Sequence, residues 1–419
     1  KGNISDYTTK TPAGTYDIIV DTSGLSSADY TFTAGTPARL TVNKKDITVA
    51  AAANKTITKV YDGTTAATVA AADFSFDGII NGDAVKLTYT AAYNSADAAS
   101  ADKVNMKGLG IDNANYRLTT SDFSIPATIT RAPLTITAEN KTTTYGKAAP
   151  AFSVTYSGFK NKETNAALSG SLTYACTYDT GTAADRNSGN YDITPSGYTS
   201  TNYEISYVKG TLTINKAVIT VTADSFSDYT YGAALPTYTG KYSGFQYTDG
   251  ESVITDGAPE YSCKATTSSP ADKYTINVDV SSLKAANYSF KAAAGTLTVN
   301  RRTLTISGIT VADKVYDGTT AVDAKQINTG NVTYTGIEEG DKSGAGITVS
   351  NAVYDNKNVG TRTVSLTYTL NSSLSSRYVL DNASSQKTAD SSITKKDLTI
   401  KANDKTVNYG ATDPIYEAT

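Results

Sequence analysis

Along most of the chain, apolar residues take every second position and threonine or serine takes the ones between. GTLTINKAVITVTA, residues 210 to 223, shows this twice: Leu212 and Ile214 alternate with threonine, Lys216 and Ala217 follow, and Ile219 and Val221 resume the alternation. A period of two predicts half-buried strands, so this stretch reads as one strand running into the next with no turn or spacer. The same device recurs at RLTVNKKDITVA (39 to 50), TITRAPLTITA (128 to 138), GTLTVNRRTLTIS (295 to 307) and SITKKDLTIKA (392 to 402). No stretch keeps helical periodicity for three turns, and AAYNSADAASADK (91 to 103) reads as a loop.

The strands before these links end at Asn43, Thr130, Asn215, Asn300 and Thr394, a period of roughly 85 to 94 residues. A fixed period of that length means tandem modules, each large enough for a small core of its own. The expected division is a fragment 1–44, whole modules 45–131, 132–216, 217–301 and 302–395, and a fragment 396–419. Short alternating strands, with turn signals every eight to twelve residues, point to an all-β chain of small immunoglobulin-like β-sandwiches, with a β-grasp-like sheet as the alternative. One or two linking residues restrict bending, and Pro133 stiffens one seam further. The modules are thus expected to form an extended end-to-end array of roughly 40 Å per module, about 150 to 200 Å in all.

Two openings distinguish the modules. One is YG-x-x-x-P, at Tyr145 to Pro150, Tyr231 to Pro236 and Tyr409 to Pro414; the other is VYDGTTA, at Val60 to Ala66 and Val315 to Ala321. In both, glycine can supply the positive φ of a tight turn. The later halves converge on a strand such as GTYDIIV, GNYDITP, DKYTINV or TRTVSLTY, a polar loop, and a second tyrosine: Tyr30, Tyr116, Tyr203, Tyr288 or Tyr378. A tyrosine fixed at the start of a late strand resembles a tyrosine corner, with its ring buried and its hydroxyl bonded back to the chain. Four of the five follow Asp or Asn, whereas Tyr378 follows Arg377.

KVYDGTTA resembles the YDG domain. YG-x-x-x-P followed by G-x-Y-x-I, NY-x-I and GTLTI resembles the MBG domain of YGX type. On that resemblance 45–131 and 302–395 are YDG-type, 132–216 and 217–301 are MBG-type, 1–44 is the end of an MBG-type module and 396–419 the start of one. Arg377 and the missing glycine in DKY (272 to 274) depart from the pattern. The resemblance implies tandem repeats of a bacterial cell-surface adhesin, an extracellular location and a role in adhesion or a surface fibre. It carries over no catalytic residue.

Composition then narrows the chemistry. A formal net charge of −3 gives no basic footprint for nucleic acid. No membrane span, signal peptide or anchor is visible, and such segments can lie outside this stretch. The absence of histidine removes Ser-His and Cys-His nucleophiles and the commonest zinc sites. No motif nominates a carboxylate pair, so no enzymatic activity and no cofactor are expected. Cys176 and Cys263 occupy the same place in neighbouring modules, too far apart for the ~7 Å Cα limit of a disulfide, and read as two unpaired thiols on an apolar face. Asp62 and Asp317 in the YDG turns, with Asp83 and Asp341 in the following GD pairs, could supply oxygens to calcium, or could cap their own turns. The tyrosines could stack on sugars, or could pack as strand partners. The seam cations Lys44, Lys45, Arg131, Lys216, Arg301, Arg302, Lys395 and Lys396 fall one or two per module, too dispersed for one patch at a Debye length of about 8 Å.

Function is therefore expected from geometry. The leading expectation is a structural stalk or fibre segment. The alternatives are modules that bind host mucin, glycan or matrix protein, and modules that associate sideways into a filament, sheath or biofilm matrix. The expected partners are neighbouring modules of the same chain, other copies, or a host glycan or protein.

Overall fold

The computed structural model describes residues 7–179, 186–381 and 386–419. The chain divides into two compact units, Lys1–Asn215 and Lys216–Thr419. The first unit opens on an antiparallel pair, β1 (Gly14–Ile18) and β2 (Ala38–Val42). One module then follows as β3 (Lys45–Ala51), β4 (Ile57–Val60), β5 (Phe74–Asp77), β6 (Leu87–Tyr93), β7 (Lys103–Ile111), β8 (Tyr116–Leu118) and β9 (Phe123–Thr130). A single residue, Arg131, leads to the next: β10 (Ala132–Ala138), β11 (Lys141–Thr144), β12 (Val154–Ser157), β13 (Ser169–Ala175), β14 (Gly189–Thr199), β15 (Tyr203–Val208) and β16 (Gly210–Asn215).

Each module is a sandwich of a three-stranded and a four-stranded sheet, in the orders β5-β3-β8 with β4-β9-β7-β6, and β12-β10-β15 with β11-β16-β14-β13. Both sheets are mixed. The first strand runs parallel to the strand that starts at the second tyrosine, as in Ala132–Thr137 against Tyr203–Val208. The second strand runs parallel to the last, as in Lys141–Thr144 against Leu212–Asn215. The sequence pattern located these strands but not their parallel partners, because pairing direction depends on how the chain returns and not on which face is apolar. The β-grasp alternative fails: the only α-helix among the described residues is one turn, Ser372–Ser375.

The second unit repeats the plan. Its first module holds β17 (Ala217–Ala223), β18 (Phe226–Thr230), β19 (Gly240–Ser243), β20 (Ile254–Asp256), β21 (Glu260–Cys263), β22 (Lys273–Asp279), β23 (Lys284–Ala285), β24 (Tyr288–Ala293) and β25 (Gly295–Asn300). After Arg301 come β26 (Arg302–Ser307), β27 (Thr310–Val311), β28 (Lys314–Val315), β29 (Ile327–Asn328), β30 (Thr333–Thr335), β31 (Ile347–Tyr354), β32 (Gly360–Leu370), β33 (Tyr378–Leu380) and β34 (Thr388–Thr394). The main sheets are β19-β17-β24 with β18-β25-β22-β21, and β30-β26-β33 with β28-β34-β32-β31.

Alternation puts one face of most module strands inside. Leu134, Ile136, Ile193, Leu212, Ile219, Leu297 and Val364 are fully buried, each contributing about 1.5–3 kcal/mol by the area it removes from water. Within a unit part of the buried set is continuous across the seam. Tyr61, Met106, Ile125 and Ile129 join Ala132, Leu134, Ile136 and Tyr203 in one cluster, and in the second unit Tyr231, Ile276 and Leu297 join Leu304, Ile306 and Tyr378. Apolar packing is thus carried from one module into the next.

The strand expected after Lys396 in SITKKDLTIKA does not form, and Leu398 and Ile400 lie exposed. In 132–216 the equivalent strand, β10, is held between β12 and β15.

Candidate functional site

The seams are where conserved geometry and polar chemistry meet within this one chain. In each whole module the second tyrosine is buried and begins a strand: Tyr116, Tyr203, Tyr288 and Tyr378. Its hydroxyl accepts a backbone N–H from roughly 40 residues upstream, from Ile80, Lys160, Gln246 or Glu338, at 2.8–3.0 Å. It also donates to a carboxylate just beyond that amide: Asp83, Glu163, Asp249 or Asp341. A phenol with both of its hydrogen-bonding roles filled locks the loop to the first sheet.

In the first unit the preceding module completes this site. Tyr61 packs edge-on against Tyr203, with ring centroids 5.3 Å apart, and donates to the other oxygen of Glu163 at 2.7 Å. One carboxylate thereby holds two buried phenols from two modules. Burial first, then Glu163, pushes the Tyr203 phenol up to about 12 and holds Tyr61 well above its ordinary value. Around this centre, Asn161 Nδ2 donates to Gly63 O, the Ala98 N–H donates to Asn202 Oδ1, and Asn202 Nδ2 donates to Asp97. The loop 94–102 is thus a seam contact, and the Asn before the second tyrosine is its receptor. The fragment seam repeats the motif, with the Ala13 N–H donating to Asn115 Oδ1 at 2.8 Å.

The second unit builds the same centre from different residues. Tyr231 packs edge-on against Tyr378, again with centroids 5.3 Å apart, and both phenols donate to Asp341. Arg377 pairs with Asp341 at 2.6 Å and lies over the Tyr231 ring. Burial works against the Asp341 charge, but Tyr231, Tyr378 and Arg377 hold its carboxyl below the usual range. Because Arg377 stands where the other seams have Asn, the N–H of Ala271 instead donates to the backbone carbonyl of Ser376, presented by the helical turn Ser372–Ser375.

The turn glycine is required twice over at these seams. Gly63 has φ +77°, and a Cβ there would meet the Asn161 Cβ at 2.6 Å; Gly232 has φ +82°, and its Cβ would meet Glu338 Oε1 at 2.6 Å. At Gly318, φ is +82° but the space is open, and its neighbour Tyr316 is 36% exposed where Tyr61 is 4%.

Family models match along most of the chain: the MBG domain (YGX type) at residues 134–213 and 219–298, and the YDG domain at residues 43–123 and 300–389. The chain is a tandem array of MBG and YDG domains. No curated protein matches it. Among solved structures it is similar to Drosophila N-cadherin EC1-4, at 8% identity over 82% of this chain and 98% of that one, with a TM-score of 0.22. It is also similar to the four N-terminal Ig domains of Dscam1 isoform 8.4, at 10% identity over 86% and 93%, with a TM-score of 0.15. Likenesses that slight carry no argument, and the fold rests on the sheets described above.

The aspartates singled out for calcium go to different places. In both YDG turns a lysine fills the concave side: Lys59 Nζ donates to Asp62, Thr64 O and Ala66 O at 2.7–3.0 Å and lies over the Tyr93 ring. Lys314 does the same with Asp317, Thr319 O, Ala321 O and Tyr354. The Asp317 carboxyl is pulled down to about 2 by the Thr319 amide, Lys314 and the Thr319 hydroxyl, in that order. Asp83 and Asp341 are the phenol acceptors of their own domains. Among the described residues, no group of three or more Cys, Asp and Glu is placed to hold a metal. Cys176 and Cys263 are free thiols, each half-buried, as the alternation predicted.

Sequence reasoning found the second tyrosine and two of its carboxylates, weighing those for calcium or for capping their own turns without pairing them with the tyrosine, and it missed Glu163, Asp249 and Asn161. The available signal was positional: in every whole module an acid stands 33 to 40 residues before that tyrosine.

Proposed function

We propose that this chain is a non-enzymatic stalk or fibre segment of a large bacterial surface adhesin, working outside the cell to project or assemble surface structures. The observation that supports this reading is the doubly occupied carboxylate at the MBG–YDG seams: two buried phenols, one from each domain, on Glu163 or Asp341. A hinge would expose that carboxylate and break the charge-assisted bond that crosses the seam, from Tyr61 to Glu163 or from Tyr231 to Asp341, so each such seam resists bending. One-residue links and the continuous apolar cluster act in the same direction. No helix among the described residues is long and apolar enough to cross a membrane.

Small-angle scattering tests the reading. A stalk gives a radius of gyration far above the roughly 22 Å of a compact chain of this length. A value near 22 Å overturns it. Saturable micromolar binding on a mucin or glycan array would favour direct recognition instead, and ordered lateral assemblies in electron micrographs would favour a sheath or matrix.

A further inference from the structure

We propose that each module is built to bear tension applied along the chain. The inference goes beyond the stalk reading, because a strut can be stiff without resisting extraction. Every whole module is entered on the central strand of its three-stranded sheet (β3, β10, β17 or β26) and left on an interior strand of its four-stranded sheet (β9, β16, β25 or β34). No load-bearing end is an edge strand. The entry strand is flanked by one antiparallel and one parallel neighbour, β12 and β15 in the case of β10. The exit strand is flanked in the same way, β16 by β14 and β11.

Ladder hydrogen bonds lie across the strands, whereas a pull on the chain acts along them. Drawing β10 out by its amino end, or β16 by its carboxyl end, therefore shears two ladders together; an edge strand drawn the same way would shear only one. The parallel ladder extends into the clasp turn, where the Tyr61 N–H donates to Thr130 O, Tyr231 to Asn300 O and Tyr316 to Thr394 O at 2.8–3.0 Å. With a single residue between the exit strand of one module and the entry strand of the next, no slack relieves the load.

Both ends are laddered throughout the array. In 132–216, Ala132–Thr137 pairs with Tyr203–Val208 and Lys141–Thr144 with Leu212–Asn215. In 302–395, Arg302–Leu304 pairs with Tyr378–Leu380 and the Asp381 N–H carries on to Leu304 O, while the exit strand pairs with Lys314–Val315 on one side and Gly360–Ser365 on the other.

The test is single-molecule force spectroscopy on the full chain, tethered at its two ends. Ile193→Ala, which opens a core cavity but leaves every ladder in place, marks the event of 132–216. Thr143→Pro removes an N–H from the parallel ladder, two residues from Tyr145, whose own N–H bonds Asn215 O at 2.8 Å. The expected result is that Thr143→Pro lowers the force of its event more than Ile193→Ala does for an equal loss of urea stability. An equal or smaller drop from Thr143→Pro overturns the proposal. If Thr143→Pro prevents folding, Lys141→Pro, at the start of the same strand, takes its place and is read in the same way.

Discussion

Glu163 carries two phenols on one carboxylate, so changing a single atom tests the seam. Glu163→Gln keeps the shape but can accept from only one of them at full strength, and the expected loss is about 1–3 kcal/mol in urea unfolding of the full chain. The turn glycines give an internal comparison. Gly63→Ala meets both left-handed strain and the Asn161 side chain, whereas Gly318→Ala meets only strain of about 1–2 kcal/mol, so calorimetry should show the larger destabilisation at Gly63. Alkaline pH reads the same site. Tyr203 and Tyr231 are raised from 10 to about 12, which favours the neutral phenol in the folded state. Their contribution is therefore complete below pH 10 and lost as the pH rises towards about 12, seen as a fall in the urea midpoint over that window. At the acid end, Asp341 is depressed, so its contribution holds above its ordinary value and disappears as the pH falls through the lower one. Because Lys59 and Lys314 already occupy the YDG turns, a chelator should leave the melting temperature unchanged; a shift of several degrees would restore the calcium reading.

The strands were legible because a side-chain period of two is a local property, and the links were legible because turn signals were missing from them. What the pattern left unread was partnership. Alternation in Lys141–Thr144 identifies a strand, but its parallel neighbour is Leu212–Asn215, about seventy residues away, and only the path of the chain brings them together. The stretch 91–103 shows the same limit: it reads as a loop throughout, whereas 91–93 close β6 and Lys103 opens β7, and nothing in it reveals that the loop 94–102 hands Asp97 and the Ala98 amide to Asn202 of the next domain. A Gly-Gly-Ser insertion after Arg131 should leave both sandwiches folded while uncoupling them. Hydrogen exchange would show this as lost protection at Ala98, with protection at the β14 amides retained. Unchanged protection at Ala98 would mean that the one-residue link does not set the register of the seam.

For the whole molecule, tandem identity came from motifs repeated at a fixed period, and the families and sheets agree with it. Tyr30 is 77% exposed and Tyr409 fully so, in contrast to the buried tyrosines at the equivalent places in the whole modules. Composition and pattern by themselves determined the all-β class and the turn glycines, which depend on residues close together in the chain, and the module period and the two free thiols, which follow from the repetition of those local motifs. Only the tertiary structure decided that Asp83 and Asp341 serve tyrosines, that Glu163 joins two domains, and that the strands entering and leaving each module are flanked on both sides. Those facts depend on which distant segments meet, and a hydrogen bond forms between neighbours in space whatever their separation in sequence.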